Sequence, residues 1–176
     1  RPVFGGATRS DANARIEFRP LPGQPTVADT VSFLAAFAGL MEQLPRHAHP
    51  VDELDWDEAE SNFYGAMRDG LDADLQWITT EGEQTTDLDE IYADLLDNAS
   101  AGLQAAGCSA EEAEDYLAPL RYRVENRTTP ASWKVGRVRS RLENGEPFAD
   151  AVTATKREYV HQQGETLLGG TFADWA

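Results

Sequence analysis

Helix-start signals recur along most of this 176-residue chain and constrain its fold more than any other feature. A Ser, Thr or Asp followed three residues later by an acid, or a Thr directly before Pro, is typical of a helix N-terminus. Such signals occur at Thr26 with Asp29, Asp87 with Glu90, Ser109 with Glu112, and Thr129 before Pro130. Apolar residues follow each signal at helical spacing. The sequence therefore predicts a mainly helical region over residues 26–163.

One segment before these helices has the alternation of a β-strand. Residues 14–19 alternate polar and apolar side chains and stop at Pro20. This pattern places Ile16 and Phe18 toward a core. The opposite face of the strand carries three charged side chains: Arg15, Glu17 and Arg19.

These patterns predict the α+β class. Part of an antiparallel sheet is expected in residues 1–25, and a flexible, Gly-rich tail in residues 164–176. Only residues 2–4 and 77–78 are further strand candidates, so the missing strands are expected upstream of Arg1 and the chain is interpreted as the C-terminal portion of one domain. The helix after Thr26 is apolar nearly all round. It is expected to end near Leu44 and to be buried against the sheet.

Charge and cysteine content exclude several classes of protein. Thirty-one acids against fifteen bases give a net charge of −16, which excludes a broadly basic nucleic-acid binder. The apolar stretch 30–41 is too short to span a bilayer, so no membrane association and a cytoplasmic location are expected. Cys108 is the single cysteine, which excludes an internal disulfide.

The lysine content is unusually low. Only Lys134 and Lys156 are lysines, a pattern typical of halophilic proteins, although an ordinary acidic protein is the alternative.

The charged face of the strand is the strongest candidate for chemistry. Successive side chains on one strand face lie about 7 Å apart, so Glu17 would sit between Arg15 and Arg19. A carboxylate can bind Mg²⁺, and guanidinium groups can bind a phosphoryl or carboxylate group in a bidentate manner. A cross-strand salt-bridge ladder is the alternative.

Two stretches resemble a known family. The first stretch consists of residues 14–22 (ARIEFRPLP), then residues 24–27 (QPTV) and a long apolar helix. It resembles the signature of the glutamate–cysteine ligase family, in the branch shared with carboxylate–amine ligases. Residues 62–73 (NFYGAMRDGLDA) resemble a helix end of the same branch. With the acidic, lysine-poor composition, the chain is most similar to a haloarchaeal type of this family.

The resemblance implies a glutamine-synthetase-like catalytic domain that uses ATP and Mg²⁺. It implies that ATP phosphorylates the γ-carboxylate of glutamate, and that the amine of cysteine displaces phosphate from the acyl phosphate. It assigns Glu17 as a metal ligand and Arg19 as the catalytic cation facing the phosphoryl region. Arg15 is a further candidate for substrate binding.

Three residues of the second stretch are candidate substrate contacts. They are Asn62, Tyr64 and Arg68, although a surface ion pair of Arg68 with Asp69 or Asp72 is an equal alternative. The family's remaining metal carboxylates belong to an N-terminal half that is expected to be missing, so this chain is expected to be inactive alone. Two rival functions are a ligase with a different amine acceptor and a non-catalytic helical interaction or homo-oligomerisation module that uses the charged strand face as a dimer edge.

Two weaker features complete the sequence analysis. His47 and His49 are expected to be solvated, because no third metal ligand is defined nearby. The basic segment 134–141 is expected mainly to offset the surrounding negative charge, although contact with ATP phosphates or with an acidic neighbour is an alternative.

Overall fold

The structure, a computed structural model, describes residues 2–175 apart from the side chains of Pro2 and Ile16. Four short strands are β1 (Pro2–Gly5), β2 (Asn13–Ile16), β3 (Trp77–Ile78) and β4 (Gln84–Thr85). Six helices are α1 (Val27–Arg46), α2 (Trp56–Asp69), α3 (Leu88–Ala105), α4 (Ala110–Glu125), α5 (Pro130–Glu143) and α6 (Phe148–Thr166). Short 3₁₀ turns occupy Pro50–Glu53, Gly70–Asp72 and Phe172–Trp175. The mainly helical content with small antiparallel sheets confirms the α+β class.

All four predicted helix starts are confirmed. The Thr26 side chain accepts the backbone N–H of Asp29 at 3.1 Å, and Asp87 accepts that of Glu90 at 3.4 Å. Ser109 and Glu112 form a reciprocal capping box, in which each side chain bonds the other residue's backbone. Each cap satisfies N–H groups that the first helical turn leaves unpaired.

Helix α1 packs on α3 and α4, so the expectation that it would be buried against a sheet is wrong. The core between these helices consists of small and aliphatic residues: Ala36, Ala99, Leu103, Ala113 and Leu117. Its outer face exposes Val27, Val31, Leu34 and Met41, so the helix is also not buried all round. The sheet beside it has only two strands and cannot cover a 20-residue helix, and α1 therefore buries one face on other helices.

Helix α1 differs from the sequence prediction in the residue at which it ends and in the length of its apolar stretch. It continues two residues past Leu44, with Pro45 in its last turn, where the missing N–H of proline removes only one hydrogen bond. In the described part of the chain, α1 is the one helix long and apolar enough to cross a membrane. A core helix of a soluble protein passes the same test, and α1 does pack on other helices.

Two glycines let α1 and α3 come into backbone contact. A Cβ atom added to Gly39 would lie 2.1 Å from the carbonyl oxygen of Ala99. A Cβ atom added to Gly102 would lie 1.9 Å from the carbonyl oxygen of Gly39. Both distances are far below any real carbon–oxygen contact, so this crossing requires glycine at both positions.

The start of α1 holds a buried ion pair. Asp29 accepts a 2.7 Å hydrogen bond from Arg123 of α4, and both side chains are almost completely buried. Asp29 also accepts from the Thr26 hydroxyl at 2.7 Å and from the Phe172 backbone N–H at 3.0 Å, while Arg123 donates to Gln24. This carboxylate therefore links three distant segments of the chain.

The two sheets are hairpins. Strands β1 and β2 pair antiparallel, with Val3 opposite Arg15, and β3 pairs with β4. Both further strand candidates are thus confirmed. The paired part of β2 ends at Ile16, three residues before the predicted end at Arg19.

The tail is packed, so the expected flexibility of residues 164–176 is wrong for the residues up to 175. Phe172 and Trp175 are 3% and 2% exposed. The Trp175 indole donates to the Thr166 hydroxyl at 2.8 Å and contacts the rings of Trp133 and Tyr159. Burial of these large rings outweighs the conformational freedom of the glycines before them.

Candidate functional site

The strand-end cluster, which we define as Arg15, Glu17 and Arg19, brings together the three charged residues predicted to share a face. The Arg19 Nε donates to a Glu17 carboxylate oxygen at 2.7 Å, and an Arg15 nitrogen lies 3.6 Å from the other oxygen. The side chains of Arg15 and Arg19 are 61% and 64% exposed, whereas that of Glu17 is 26% exposed. Ion pairs within this one segment are therefore present, and a cross-strand ladder stays a prediction.

An aromatic contact holds this cluster against the helices. Phe18 lies between Glu17 and Arg19 in sequence, and its ring stacks on Phe37 of α1 with centroids 4.5 Å apart. Phe18 thus faces the core side as predicted, although it is still 37% exposed. The side chain of Ile16, the other residue predicted to face the core, lies outside the described part of the structure. The Phe18 contact anchors the segment that carries the guanidinium groups.

The cluster suits an anion better than a metal ion alone. Two exposed guanidiniums flank one carboxylate, and each keeps N–H groups that can bind phosphate or carboxylate oxygens. Within residues 2–175, no group of three or more His, Cys, Asp or Glu side chains is placed to hold a metal. Mg²⁺ in enzymes is often bound by one or two carboxylates together with substrate phosphates and water. Glu17 fits such a site as one ligand of several.

Next to Phe18 lies an apolar cavity of about 380 Å³ between α1, α3 and α4. Its walls include Phe33, Phe37, Leu95 and Leu120. An apolar lining cannot solvate a nucleotide or an amino-acid substrate, because buried charges need polar partners. The candidate site is therefore the open, charged cluster and not this cavity.

The three predicted residues on α2 have partners of their own. Arg68 binds the neighbouring Asp69 at 2.9 Å, as the surface alternative predicted, and this hydrogen bond raises the pKa of Arg68. The Asn62 amide binds both backbone groups of Gln76, at 2.7 and 2.8 Å. Tyr64 is half exposed beside Phe63.

The predicted α2 residues and the two guanidinium groups of the strand-end cluster have separate bonding partners. Across the described chain, no hydrogen bond or ion pair joins Arg15 or Arg19 to Asn62, Tyr64 or Arg68. Their role as substrate contacts therefore stays a prediction. The Asn62 amide already has a structural task, which is to hold the segment leading into β3.

Sequence reasoning missed a polar centre around Asp94 of α3. Its carboxylate accepts hydrogen bonds from His49 at 3.0 Å, from the Trp77 indole at 2.8 Å, and from the N–H and hydroxyl of Thr80 at 2.8 and 2.6 Å. The expectation of a solvated His49 is wrong, because this residue is 4% exposed. Its Nδ1 accepts the Val51 N–H, so its Nε2 carries the proton given to Asp94. No local sequence pattern predicts this centre, since the residues that donate to Asp94 lie 14 to 45 positions away from it in the chain.

The hydrogen bonds to Asp94 make stability depend on pH. Burial acts to raise the pKa of Asp94, but the hydrogen bonds from Thr80, Trp77 and His49 outweigh it and lower that pKa. A carboxyl whose pKa is lower in the folded state contributes stability above its unfolded pKa, and this contribution is lost as the pH falls through the folded pKa.

We expect Asp94→Ala to destabilise the protein by about 1 to 3 kcal/mol at neutral pH, because it leaves buried donors unpaired. Urea unfolding measures this loss, and the part that comes from the charge of Asp94 should shrink below about pH 4, where the unfolded carboxyl becomes protonated. Asp97→Ala is the matched control on the same helix, because the Asp97 side chain is 69% exposed. Equal effects of the two substitutions would contradict a structural role for Asp94.

Comparison with known proteins gives one match. A family model described as glutamate-cysteine ligase family 2 matches residues 1–164, which is most of the chain. No curated protein and no solved structure gives a match. The matched range includes the strand-end cluster and all the predicted residues of α2.

Proposed function

The chain belongs to glutamate-cysteine ligase family 2, and we propose that it forms part of an enzyme that joins the γ-carboxylate of glutamate to the amine of cysteine at the expense of ATP. The family membership supports a ligase of the glutamate–cysteine ligase type. The single observation that carries the proposal is the family match across residues 1–164. The clustering of Arg15, Glu17 and Arg19 inside that range is consistent with it.

The proposed reaction has two steps. An oxygen of the glutamate γ-carboxylate attacks the γ-phosphorus of ATP, and the bond from that phosphorus to the bridging oxygen breaks, which gives an acyl phosphate and ADP. The cysteine amine then attacks the acyl carbon, phosphate leaves with the electrons of its C–O bond, and the nitrogen loses a proton. The products are γ-glutamylcysteine, ADP and phosphate.

Charge neutralisation is the task we propose for the strand-end cluster. Negative charge is spread over the transferring phosphoryl oxygens, and guanidinium groups stabilise such charge without transferring a proton. We propose Arg19 as the catalytic cation and Arg15 as a substrate-binding cation. Glu17 would contribute one carboxylate to Mg²⁺, whose chemistry is to neutralise the phosphate oxygens of ATP.

The α2 residues have the remaining proposed roles. Arg68 is exposed and carries a charge, so it can exchange Asp69 for a substrate carboxylate. Tyr64 lies about one turn before it on α2 and Asn62 nearly two turns before it, and both are proposed to contact the same substrate. A catalytic site with a single described metal carboxylate needs further ligands, and we propose that they come from polypeptide outside these 176 residues. On this proposal the chain is inactive by itself.

The charge composition supports a proposed location. A net charge of −16 with two lysines suits the cytoplasm of a halophilic, haloarchaeal-type cell, where molar salt screens the repulsion between carboxylates. Unfolding measured at increasing KCl concentration tests this. Stability that rises up to molar KCl supports the proposal, and stability that is flat with KCl identifies an ordinary acidic protein.

The proposed reaction is tested by ADP release from the full-length protein in molar KCl with Mg²⁺-ATP and glutamate. Release that depends on cysteine supports the proposed acceptor. Release with another amine keeps the ligase chemistry but identifies a carboxylate–amine ligase with a different acceptor. No release with any amine favours the non-catalytic helical module.

We expect Glu17→Gln and Arg19→Ala each to lower turnover by about 100-fold or more. Glu17→Gln removes the carboxylate proposed to bind Mg²⁺, and Arg19→Ala removes the cation proposed to stabilise charge on the transferring phosphoryl group. Stability should change by less than about 1 kcal/mol, since the guanidinium partner of each ion pair is largely exposed. Steady-state ADP release and urea unfolding provide the two measurements.

A second surface ion pair gives the matched control for these substitutions. Glu42 and Arg46 pair on α1, so Glu42→Gln and Arg46→Ala repeat the same chemical changes away from the cluster. Turnover should stay unchanged in both control variants. If the cluster variants keep full turnover and lose self-association instead, the cluster is a dimer edge and its catalytic assignment is wrong.

A further inference from the structure

The hairpin of α5 and α6 carries an apolar groove that the described chain leaves uncovered. Its volume is about 400 Å³, and its walls are formed by Val135, Val138, Leu142, Phe148 and Val152. Val135 is 56% exposed and Phe148 is 68% exposed. Exposed apolar surface of this kind marks interaction sites in soluble proteins.

Two cations border this groove without an acidic partner. Lys134 and Arg139 are both part of its lining. The other two cations of α5, Arg137 and Arg141, pair with Glu158 of α6. No ion pair of residues 2–175 includes Lys134 or Arg139, and Lys134 instead lies over the ring of Tyr159 at 4.5 Å. The groove is thus shallow and apolar, with two bordering cations that no acid of the described chain pairs.

Helix α2 presents the complementary pattern. Trp56, Phe63 and Met67 are 78%, 59% and 70% exposed, and their spacing of seven and four residues places them on one face of the helix. Asp57 and Glu60 are exposed beside or within this stripe, and in the described chain neither forms an ion pair. The opposite side of α2 packs inward through Gly65. We call Trp56, Phe63 and Met67 the α2 stripe.

The two surfaces match in size and in charge. At about 1.5 Å of rise per residue, the α2 stripe extends about 16 Å and the α5 wall of the groove about 10 Å, so the groove can seat most of the stripe. An apolar helix face lying in an apolar groove is a common recognition mode. On a chain with a net charge of −16, a locally positive groove is where a second acidic molecule can approach without repulsion.

We propose that the protein self-associates by seating the α2 stripe of one copy in the α5–α6 groove of another. The cations Lys134 and Arg139 then face Asp57 and Glu60 of the neighbouring copy. Asn62 lies on another side of α2, where its amide is turned to Gln76. Tyr64 lies between Glu60 and Asp57 around the helix, so this contact and the substrate contact proposed for Tyr64 would compete for one side of α2. The proposal does not depend on the ligase activity.

Charge reversal tests the contact in the full-length protein at one fixed salt concentration. The groove variant carries Lys134→Glu and Arg139→Glu, and the stripe variant carries Asp57→Lys and Glu60→Lys. Each alone should raise the dissociation constant of self-association by about tenfold or more, because like charges then face each other. An equimolar mixture should regain the affinity of the unchanged protein, since each copy then meets a partner of opposite charge. Sedimentation velocity over the micromolar range measures both effects.

Controls separate the contact from overall charge and from misfolding. Arg9→Glu with Arg157→Glu makes the same change in net charge at exposed positions outside the groove, and association should not change. Lys134→Gln with Arg139→Gln is a milder groove variant that should weaken association without reversing charge. A protein that stays monomeric across the range, or a mixture that fails to regain affinity, would overturn the proposal. The same holds if the control variant weakens association as much as the groove variant.

Discussion

Replacing Asp29 with alanine is expected to destabilise the protein by about 3 to 5 kcal/mol, because it leaves the buried Arg123 guanidinium without its counter-ion. Both side chains are nearly inaccessible, at 0% and 6% exposure, and their hydrogen bond is 2.7 Å long. The substitution also leaves the Phe172 N–H and the Thr26 hydroxyl without an acceptor. Unfolding in guanidinium chloride measures the change.

The control for Asp29 is the removal of both charges. Asp29→Ala combined with Arg123→Met should be less destabilising than Asp29→Ala alone, because no unpaired charge then remains buried. The surface pair of Glu42 and Arg46 provides the other comparison, and Glu42→Ala should cost less than about 1 kcal/mol. If Asp29→Ala costs no more than Glu42→Ala, the ion pair contributes little to stability.

Replacing Gly102 with alanine is expected to destabilise the protein by about 3 kcal/mol or more. The new methyl group would meet the Gly39 carbonyl oxygen at 1.9 Å, and the obstacle is backbone that cannot rotate away. Helices α1 and α3 must then separate, which opens the core around Ala99 and Leu103. Thermal and urea unfolding both report this loss.

Gly136 is the matched control for the glycine substitution. It also lies within a helix, α5, but a Cβ atom there would meet nothing within 4 Å. Gly136→Ala should therefore raise stability by about 0.5 to 1 kcal/mol, because alanine loses less backbone entropy in a helix. If both substitutions stabilise the protein, the close crossing of α1 and α3 is incorrect.

The starts of α1, α3, α4 and α5 were predictable from sequence because their start signals are local. Ser109 and Glu112, three residues apart, carry all the information needed to place the start of α4. The surface on which α1 packs was not predictable in this way. The crossing of α1 with α3 depends on Gly39 and Gly102, which are distant in sequence. The need for glycine at these positions is visible only from the backbone contact between the two helices.

The candidate site was predictable to a similar extent. Alternation along residues 14–19 is a local pattern, and it correctly placed Arg15, Glu17 and Arg19 together, although Glu17 and Arg19 lie beyond the end of β2. The Asp94 centre depends on hydrogen-bond donors that the folding of distant segments brings together. Residue spacing in the sequence therefore does not predict it. The relation of α2 to the strand-end cluster depends on tertiary packing and likewise escapes local analysis.

The contacts of Asp29 also bear on the order in which the chain folds. Its partners Arg123 and Phe172 follow it by 94 and 143 residues. Bringing such distant segments together loses loop-closure entropy before any stabilising contact can form. Helices α3 and α4 are neighbours in sequence, so they can dock early. We therefore expect the first turn of α1 to reach its native surroundings late, when the α3–α4 pair already offers Arg123 as a partner.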